Sequence, residues 1–301
     1  MSAPRPAKAG RPPWGSSKVA KPHLLESAPR PAGAGNHPAC RPDGPRQAQV
    51  PFRALASGLG PSSGSRKVAE PPVLENRHDE AMKRHDEAST TRRDIERVDA
   101  ETVRAARSLP TATLHEAGGK IGALPSAIKP VAPGFRLCGP ALTVHSPGGD
   151  NLWLHRAFEV AQPGDVMVVY ASGAYEHGYW GEIMATAAQV RGLAGLVIDA
   201  CVRDGALLAE IGFPVFSRGL CIRGTSKDFG AIGWINAPVR IGDVTVHPGD
   251  LVAGDGDGVA VIPRARAQIV VAAAAQREAD EAQILRRLVA GESTLDVYGW
   301  R

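Results

Sequence analysis

The sequence predicts an α/β fold, and two stretches of the chain indicate it. Small and apolar residues recur at helical spacing over residues 183–190, Gly192 and Gly195 then interrupt the helix, and residues 196–198 form the short apolar run of a buried strand. Strand and helix patterns also alternate over residues 141–170. Repeated alternation of this kind is typical of an α/β domain.

Composition divides the chain into two parts. Residues 1–72 contain 14 of the 25 prolines and only scattered apolar side chains, so they cannot bury enough surface to offset the entropy lost on ordering. Short units are also duplicated there, since GSSKVAKPHLLE at residue 15 is echoed by GSRKVAEPPVLE at residue 64. We therefore predict a disordered tail over residues 1–90 and a folded domain over residues 91–301.

Charge is distributed unevenly between these parts. Residues 1–90 hold 14 Lys and Arg against 8 Asp and Glu, so the tail, at +6, exceeds the overall net charge of +4. A basic tail suits nucleic acid, but this one lacks interleaved aromatic residues and any known binding module. A solubilising extension, or an upstream start that adds residues without function, is favoured over the alternative of a nucleic-acid binder.

The sequence contains no evident targeting segment. The amino terminus lacks the apolar core of a secretory signal, and there is no run of about 18 apolar residues that would cross a membrane. The four cysteines, Cys40, Cys138, Cys201 and Cys221, have neither CxxC spacing nor the pattern of a secreted disulfide framework. These features predict a cytoplasmic protein with free thiols and no membrane partner.

Two helices are predicted at the start of the folded part. Residues 94–107 place apolar side chains on one helical face, and Thr113 is positioned to cap a second helix. Glu116 would then lie in the first turn of that helix, where the helix dipole favours a carboxylate and by itself accounts for the residue.

Strands and short helices alternate from residue 140 onward. The pattern predicts an edge or half-buried strand over residues 141–146, a helix over residues 152–161 and a buried strand over residues 166–170. A glycine-rich loop over residues 170–180 follows. Its aromatic side chains and His177 are candidates for the mouth of a pocket, although a lone loop histidine is more often solvated.

The helix after Gly181 and the strand that follows it carry the candidate site. Amides in the first turn of a helix have no intrahelical partner and can hold a carboxylate. At the end of the strand, Arg203 offers a planar cationic fork for a carboxylate or a polarised carbonyl, and Asp204 offers a hard oxygen ligand for Mg²⁺. The alternative from the residues alone is a surface Arg beside an Asp that caps a helix from Gly205.

Beyond this pair the sequence predicts a polar loop, a hairpin and a closing helix. Lys227 lies in the polar loop and is expected to be solvated. Asp255 and Asp257 are assigned to a glycine-rich hairpin, because the remaining ligands of a calcium loop are absent. A long helix over residues 263–290 closes the domain, and its predicted packing faces contain Ile269, Ala273, Ile284, Leu285 and Leu288.

Several motifs resemble one known family. GEIM at residues 181–184, VIDACVRD at residues 197–204 and GFPVFSRG at residues 212–219 resemble the class II 4-hydroxy-4-methyl-2-oxoglutarate / 4-carboxy-4-hydroxy-2-oxoadipate aldolases. Their superfamily also contains the regulators of ribonuclease activity. The resemblance extends over residues 93–301 with motifs in matching order. It implies an α/β/β/α sandwich that assembles as a homotrimer or a homohexamer, with sites between subunits.

The resemblance also implies roles for individual residues. It places the carboxylate of a 2-oxo acid on the amides of Ile183 and Met184. Asp204 is then the ligand of a divalent cation, Mg²⁺ or Mn²⁺, and Arg203 donates to the 2-oxo oxygen.

The resemblance also implies that acidic residues surround the cation. Glu182 matches a family Asp that helps to organise water, and Glu116 matches an acid that reaches the site of a neighbouring subunit. The usual pattern has an acid three places after Asp204, where this chain has Leu207, and this departure bears on metal affinity. Glu210 lies about 300° around a helix from Leu207, so it is not assigned the missing role.

Together these expectations describe a metal-dependent lyase. The hypothesis is retro-aldol cleavage of 4-hydroxy-4-methyl-2-oxoglutarate or 4-carboxy-4-hydroxy-2-oxoadipate to pyruvate and a second 2-oxo acid, with oxaloacetate decarboxylation as a side activity. Glu182 or Glu116 assists removal of the C4 hydroxyl proton. Family enzymes also bring an acid from the last helix into a subunit interface, and either Glu278 or Glu281 matches it. The alternative is a non-catalytic binding protein like the ribonuclease regulators.

Overall fold

The computed structural model describes residues 90–301, so residues 1–89 of the predicted tail lie outside the described residues. The helices of this part are α1 (Ala100–Ala106), α2 (Thr111–Ala117), α3 (Leu152–Ala157), α4 (Glu182–Val190), α5 (Gly205–Ile211), α6 (Ala267–Val289) and α7 (Thr294–Val297). The strands are β1 (Lys129–Pro130), β2 (Leu137–His145), β3 (Val166–Tyr170), β4 (Gly195–Ile198), β5 (Cys201–Val202), β6 (Val215–Ser217), β7 (Gly219–Leu220), β8 (Trp234–Ile235), β9 (Val239–Ile241), β10 (Val244–Val246), β11 (Leu251–Asp255) and β12 (Gly258–Ile262).

Eight of the strands in the described part form one mixed sheet. Its order is β1-β6-β4-β3-β2-β11-β12, and β8 also pairs with β2. Strands β2, β3, β4 and β6 run parallel, while β1, β8, β11 and β12 join antiparallel. Ligands of open α/β sheets bind beyond the carboxyl ends of the parallel strands, which makes that edge the place to look for a site.

Both faces of the sheet are covered, as the alternation along β3 makes clear. Met167 and Val169 pack into a core cluster with α3 and α4. Val166 and Val168 point the other way and pack with Ile241 of the β9–β10 pair. A strand that is buried on both faces reads as a continuous apolar run, as the sequence of β3 does.

Helices α1, α2 and α6 pack on the β11–β12 hairpin, on the face of the sheet that α3 and α4 also cover. Leu251 of this face is aligned with Pro140, whereas Val252 points the other way and packs with the β9–β10 pair. Leu114 and Val270 are buried against Leu251 and Ile262 of the β11–β12 hairpin. Helices and strands of the described part therefore combine in an α/β arrangement, which confirms the predicted α/β class.

Helix α1 begins later than predicted. Its first residue is Ala100 rather than residue 94, because the Asp99 carboxylate accepts hydrogen bonds from the amide and hydroxyl of Thr102 at 2.8 and 2.7 Å. The amide of Val98 is bonded instead to the carbonyl of Gly249, so the chain before Asp99 is held outside the helix.

Helix α2 begins earlier than predicted. Asp255, 144 positions away in the chain, accepts hydrogen bonds from the amide and hydroxyl of Thr111 at 2.9 and 2.5 Å and so caps the helix in place of Thr113. The hydroxyl of Thr113 donates to Glu278 instead. Glu116 consequently lies in the last turn of α2 and not in its first.

Two further expectations about packing were wrong. Strand β2 is central rather than an edge strand, because it lies between β3 and β11 and is buried along almost its whole length. Helix α6 begins at Ala267 after a 3-10 turn, and its buried face holds Ala267, Val270, Val271 and Ala274. Ile269 is 74% exposed and Leu285 is 60% exposed, so the predicted packing faces point mainly to solvent.

Two simpler expectations were tested in the described part. Cys138, Cys201 and Cys221 are free thiols, whereas Cys40 lies outside the described residues. None of the described helices is long and apolar enough to cross a membrane.

Candidate active site

A cavity of about 270 Å³ lies at the carboxyl edge of the parallel strands. One wall is residues 178–181, the end of the loop after β3, together with the first turn of α4. Arg203 and Asp204 form a second wall, and the polar loop at residues 224–227 closes a third side. The structure therefore brings together the helix start and the charged pair that the sequence singled out.

The charged pair does not follow directly from the buried strand β4. The chain bends at residues 199–200 and runs through the short strand β5 before it reaches Arg203. The amide of Arg203 donates to the carbonyl of Trp180 at 2.8 Å, which ties the pair to the loop after β3. Arg203 Nε lies 3.7 Å from Asp204 Oδ2, and the two side chains stay 49% and 36% exposed, within reach of a ligand.

Asp204 occupies the N-cap position of α5 but does not cap that helix with its side chain. Its backbone is left-handed, with φ at 60°, a conformation that costs free energy for any residue other than glycine. The carboxylate turns instead towards α4, where Oδ2 accepts a hydrogen bond from the Glu182 amide at 3.1 Å. The alternative of a simple capping Asp is therefore wrong.

Two glycines permit this close approach of chain segments. A Cβ on Gly181 would lie 2.2 Å from Asp204 Oδ2, and a Cβ on Gly178 would lie 2.5 Å from the Cys221 carbonyl oxygen and 2.9 Å from Arg203 Cβ. Because any side chain at these positions would collide with the charged pair or its support, glycine is required by space rather than by backbone conformation.

The first turn of α4 presents backbone donors to the cavity. Gly181 occupies the N-cap position and supplies no side chain to satisfy the helix amides. The amides of Ile183 and Met184 have no intrahelical partner, and both residues line the cavity. The Met184 side chain is buried in the core, so its backbone is the part that a ligand can use. This arrangement suits a carboxylate.

The far end of the cavity contains polar groups that the sequence did not single out. Asn151 is buried, its Nδ2 donates to the Tyr179 carbonyl at 2.9 Å, and its Oδ1 has no partner among the described residues. Burial, aided by the charge of Lys227, lowers the pKa of His155. Lys227 is exposed, as expected, but it also lines the cavity. The sequence did not indicate a functional role for Asn151 or His155, because the apolar spacing of α3 predicts only a helix that packs against the sheet.

Comparison with known proteins identifies the family. A family model described as RraA-like, Aldolase/RraA, matches residues 96–261. The chain belongs to the RraA-like family. A protein of Halalkalibacterium halodurans named "Putative 4-hydroxy-4-methyl-2-oxoglutarate aldolase" is 38% identical over 175 residues, which are 58% of this chain and 82% of that protein. A Burkholderia mallei protein of the same name is 32% identical over 145 residues, which are 48% of this chain and 86% of that protein.

Solved structures agree with this membership. RraAS2 of Streptomyces coelicolor, described as an unusual member of the RNase ES inhibitor RraA protein family, aligns with a TM-score of 0.56 at 32% identity. The alignment covers 64% of the RraA-like chain and 100% of RraAS2. An uncharacterised protein from Pseudomonas syringae aligns with a TM-score of 0.59 at 28% identity, over 68% of this chain and 100% of that one.

Several candidate residues of the RraA-like chain lie outside this cavity. Glu116 is on α2 and forms an ion pair with Lys120 at 3.5 Å. Leu207 and Glu210 are on α5, and neither lines the cavity. His177 does not line it either, whereas the neighbouring residues Tyr179 and Trp180 do. The assignment of Glu116 to a neighbouring subunit's site stays a prediction.

The acids of the closing helix both have partners within the chain. Glu278 accepts the hydrogen bond from Thr113 noted above, and Glu281 pairs with Arg277 at 2.8 Å. Neither lines the cavity. The RraA-like chain therefore uses Glu278 to join α6 to α2, while Glu281 forms a pair along the surface of α6.

The carboxylates that line the cavity are Asp204 and Glu182. Across the described residues there is no cluster of three or more His, Cys, Asp or Glu side chains that would enclose a metal ion. Mg²⁺ is usually held by one or two carboxylates, with waters and substrate oxygens in its remaining positions. The donor set of the RraA-like chain fits a hard divalent cation of this kind and does not fit a fully protein-enclosed metal.

Proposed function

We propose that this RraA-like protein is a divalent-metal-dependent aldolase. Its substrate would be 4-hydroxy-4-methyl-2-oxoglutarate or 4-carboxy-4-hydroxy-2-oxoadipate, cleaved to pyruvate and a second 2-oxo acid. The observation that carries the proposal is the convergence, in one cavity, of Arg203, Asp204 and the unpaired amides of α4. The names of the Halalkalibacterium and Burkholderia relatives support the same chemistry.

The residues of the cavity can stabilise the negative charge that develops on the substrate during cleavage. The amides of Ile183 and Met184 would hold the substrate carboxylate, which places the 2-oxo oxygen near Arg203. When the C3–C4 bond breaks, its electron pair moves onto C3 and the 2-oxo oxygen, and pyruvate enolate forms. A guanidinium already positioned at that oxygen stabilises the new charge without further reorganisation, which lowers the barrier.

Proton transfer completes the cleavage. The C4 hydroxyl must lose its proton as the C4 carbonyl forms, and the enolate must gain a proton at C3 to become pyruvate. Glu182 lies on the cavity wall and is the carboxylate of this chain that we assign to the transfer. Glu116 would assist from a neighbouring subunit of a homotrimer or homohexamer.

Asp204 would hold the cation, Mg²⁺ or Mn²⁺, and Glu182 would help to organise water around it. When bound, such a cation supplies Lewis-acid stabilisation of negative charge on substrate oxygens. Oxaloacetate decarboxylation produces the same pyruvate enolate, so we propose it as a side activity of the same residues. A cytoplasmic location would give the enzyme access to 2-oxo acids of central metabolism.

Pyruvate release, followed with coupled lactate dehydrogenase, tests the proposal. At least one of the two substrates should yield pyruvate with Mg²⁺ or Mn²⁺, and neither should yield it after EDTA. Arg203→Ala should lower kcat by about 100-fold or more, as the loss of one oxyanion donor does in other enzymes. Arg240→Ala, on the exposed side of β9, is the matched control and should keep full activity. Full activity of Arg203→Ala, or activity that survives EDTA, would contradict the mechanism.

A second candidate function is a non-catalytic binding protein. Leu207, which stands where the aldolase pattern has an acid, and the similarity to RraAS2 favour it. In that case neither substrate would yield pyruvate with any divalent cation. For the aldolase we expect Leu207→Glu to tighten Mn²⁺ binding in calorimetry, because a carboxylate is added near Asp204. Leu207→Gln, which adds no charge, is the matched control.

A further inference from the structure

A second cavity, of about 380 Å³, lies at the opposite edge of the sheet from the candidate active site. Its walls come from Arg97 and Val98, helix α1, Pro140 and the turn at residues 163–164 that leads into β3. These segments adjoin the amino ends of the parallel strands, since β2 and β3 first pair just after them. We name this space the amino-edge cavity, and its volume falls in the range of small-molecule sites.

Two cations of the amino-edge cavity are not neutralised within the described part of the chain. Arg104 and Arg107 are three residues apart at the end of α1, so they lie on the same side of the helix. Neither forms an ion pair or a side-chain hydrogen bond with a described residue. The nearby Asp99 is occupied, because both of its oxygens accept hydrogen bonds from Thr102.

The third arginine of the cavity, Arg97, is held in place by an ion pair. Arg97 Nε and Nη2 donate to the two oxygens of Asp165 at 2.8 and 3.0 Å, and Asp165 is fully buried. The amide of Gln162 also donates to Asp165 at 2.9 Å. The charge of Asp165 is thereby paired with Arg97, and Asp165 forms no ion pair with Arg104 or Arg107.

The floor of the amino-edge cavity is apolar. Val98 and Val103 are buried at 6% and 7% exposure, and Pro140 and Pro163 complete the lining beside them. Prolines have no amide hydrogen, so these two positions add no donor to the site. The result is an apolar recess with two free guanidinium groups at its rim.

We infer that the amino-edge cavity binds an organic anion in which a carboxylate or phosphate group is joined to a compact apolar body. Guanidinium groups pair bidentately with carboxylates and with phosphates, so Arg104 and Arg107 would bind the anionic group. Burial of the apolar body against the valines and prolines adds affinity that an inorganic ion lacks. This inference is independent of the proposed aldolase activity, because no residue of the amino-edge cavity takes part in it.

Chemical-shift mapping on the full chain locates the binding. The probes are phthalate and phenyl phosphate, which separate a carboxylate ligand from a phosphate ligand, with inorganic phosphate and phenol as partial mimics. We expect saturable shifts at the amides of Arg104 and Gly164 with at least one probe, and weaker binding of both partial mimics. Shifts confined to the candidate active site, at Gly181 and Arg203, or no saturation with either probe, would overturn the inference.

Matched variants test the role of the rim. Arg104→Gln combined with Arg107→Gln should weaken binding of the better probe by about tenfold or more, because charge-assisted hydrogen bonds are lost. Arg266→Gln combined with Arg286→Gln removes the same charge from exposed positions elsewhere and should leave the affinity within about twofold. If both double variants weaken probe binding equally, the effect comes from the overall charge of the protein, and the proposed site is rejected.

An occluding variant tests the apolar recess separately. Ala100 is an exposed residue of the cavity wall, so Ala100→Trp would fill the recess without removing either arginine. We expect it to abolish the probe-induced shifts at Gly164. Unchanged binding by Ala100→Trp would show that the anion contacts the arginines alone and would refute the apolar part of the inference.

Discussion

At the scale of single residues, the candidate active site depends on the fit between Gly181 and Asp204. The left-handed backbone of Asp204 directs its carboxylate towards α4 rather than towards the helix that it precedes. Gly181 leaves the space that this carboxylate fills, since a Cβ there would lie 2.2 Å from Oδ2. The strain at Asp204 is retained because its neighbours hold it, a pattern that is common at functional sites.

Gly181→Ala tests this fit. The new methyl group would push Asp204 Oδ2 away, so we expect kcat/KM for pyruvate release to fall by about 10-fold or more while the helix itself persists. Gly256→Ala is the matched control, because a Cβ there meets no atom within 4 Å and the backbone is not left-handed. Equal activities of the two variants would mean that the position of Asp204 is unimportant.

At the scale of elements, the start of α2 depends on a distant strand end. Asp255, the last residue of β11, caps α2 through the amide and hydroxyl of Thr111. Burial by itself raises the pKa of Asp255, but the hydrogen bonds from Thr111 and the amide of Asp257 outweigh it and hold the pKa below its usual value. The carboxylate therefore joins the outer helical layer to the hairpin beneath it.

Asp255→Asn should destabilise the fold by about 1–3 kcal/mol at pH 7, because a buried charged acceptor is lost from the helix start. The folded pKa is depressed, so this contribution is present above the usual pKa of an Asp and is lost as the pH falls through the lower folded value. Urea unfolding at pH 7 and pH 3 measures both effects. Asp257→Asn, whose side chain is exposed, should leave stability unchanged.

At the scale of the whole molecule, two partly buried histidines couple stability to pH. Burial lowers the pKa of His145, which stacks on Trp234 at 3.7 Å and has no partner at Nδ1 among the described residues. Burial and the charge of Lys227 lower the pKa of His155. Protonation of either ring would place a charge at a partly buried position, which costs desolvation free energy.

Stability should therefore decrease as the pH falls below about 6.5, the ordinary pKa of histidine, because the unfolded chain then binds protons that the folded chain does not. Urea unfolding at pH 7.5 and pH 5.5 measures the difference. His145→Gln combined with His155→Gln should reduce the pH dependence, whereas His247→Gln, at an exposed position, should retain it. An unchanged pH dependence in the double variant would place its source elsewhere.

The order of elements and the location of the candidate site could be predicted from local sequence. Periodicity identified α4 and β3, because apolar spacing reflects which faces are buried. The residue types at Arg203, Asp204 and the start of α4 indicated the site. A charged pair that follows an apolar strand costs desolvation free energy unless a ligand or another charged group offsets it. The start of α2 could not be predicted, because its cap is 144 residues away, and α6 buries small alanines and valines rather than the larger residues of its other face.

Residue patterns were sufficient to establish the α/β class, the family resemblance and the side chains available for chemistry. Tertiary structure alone decided that Asp204 turns to α4, that Asn151, His155 and Lys227 share its cavity, and that Glu116 lies outside that cavity. Local patterns record which residues favour a helix or a strand. Distances between residues far apart in the chain are fixed only when the layers pack, because the contacts that set them do not exist before then.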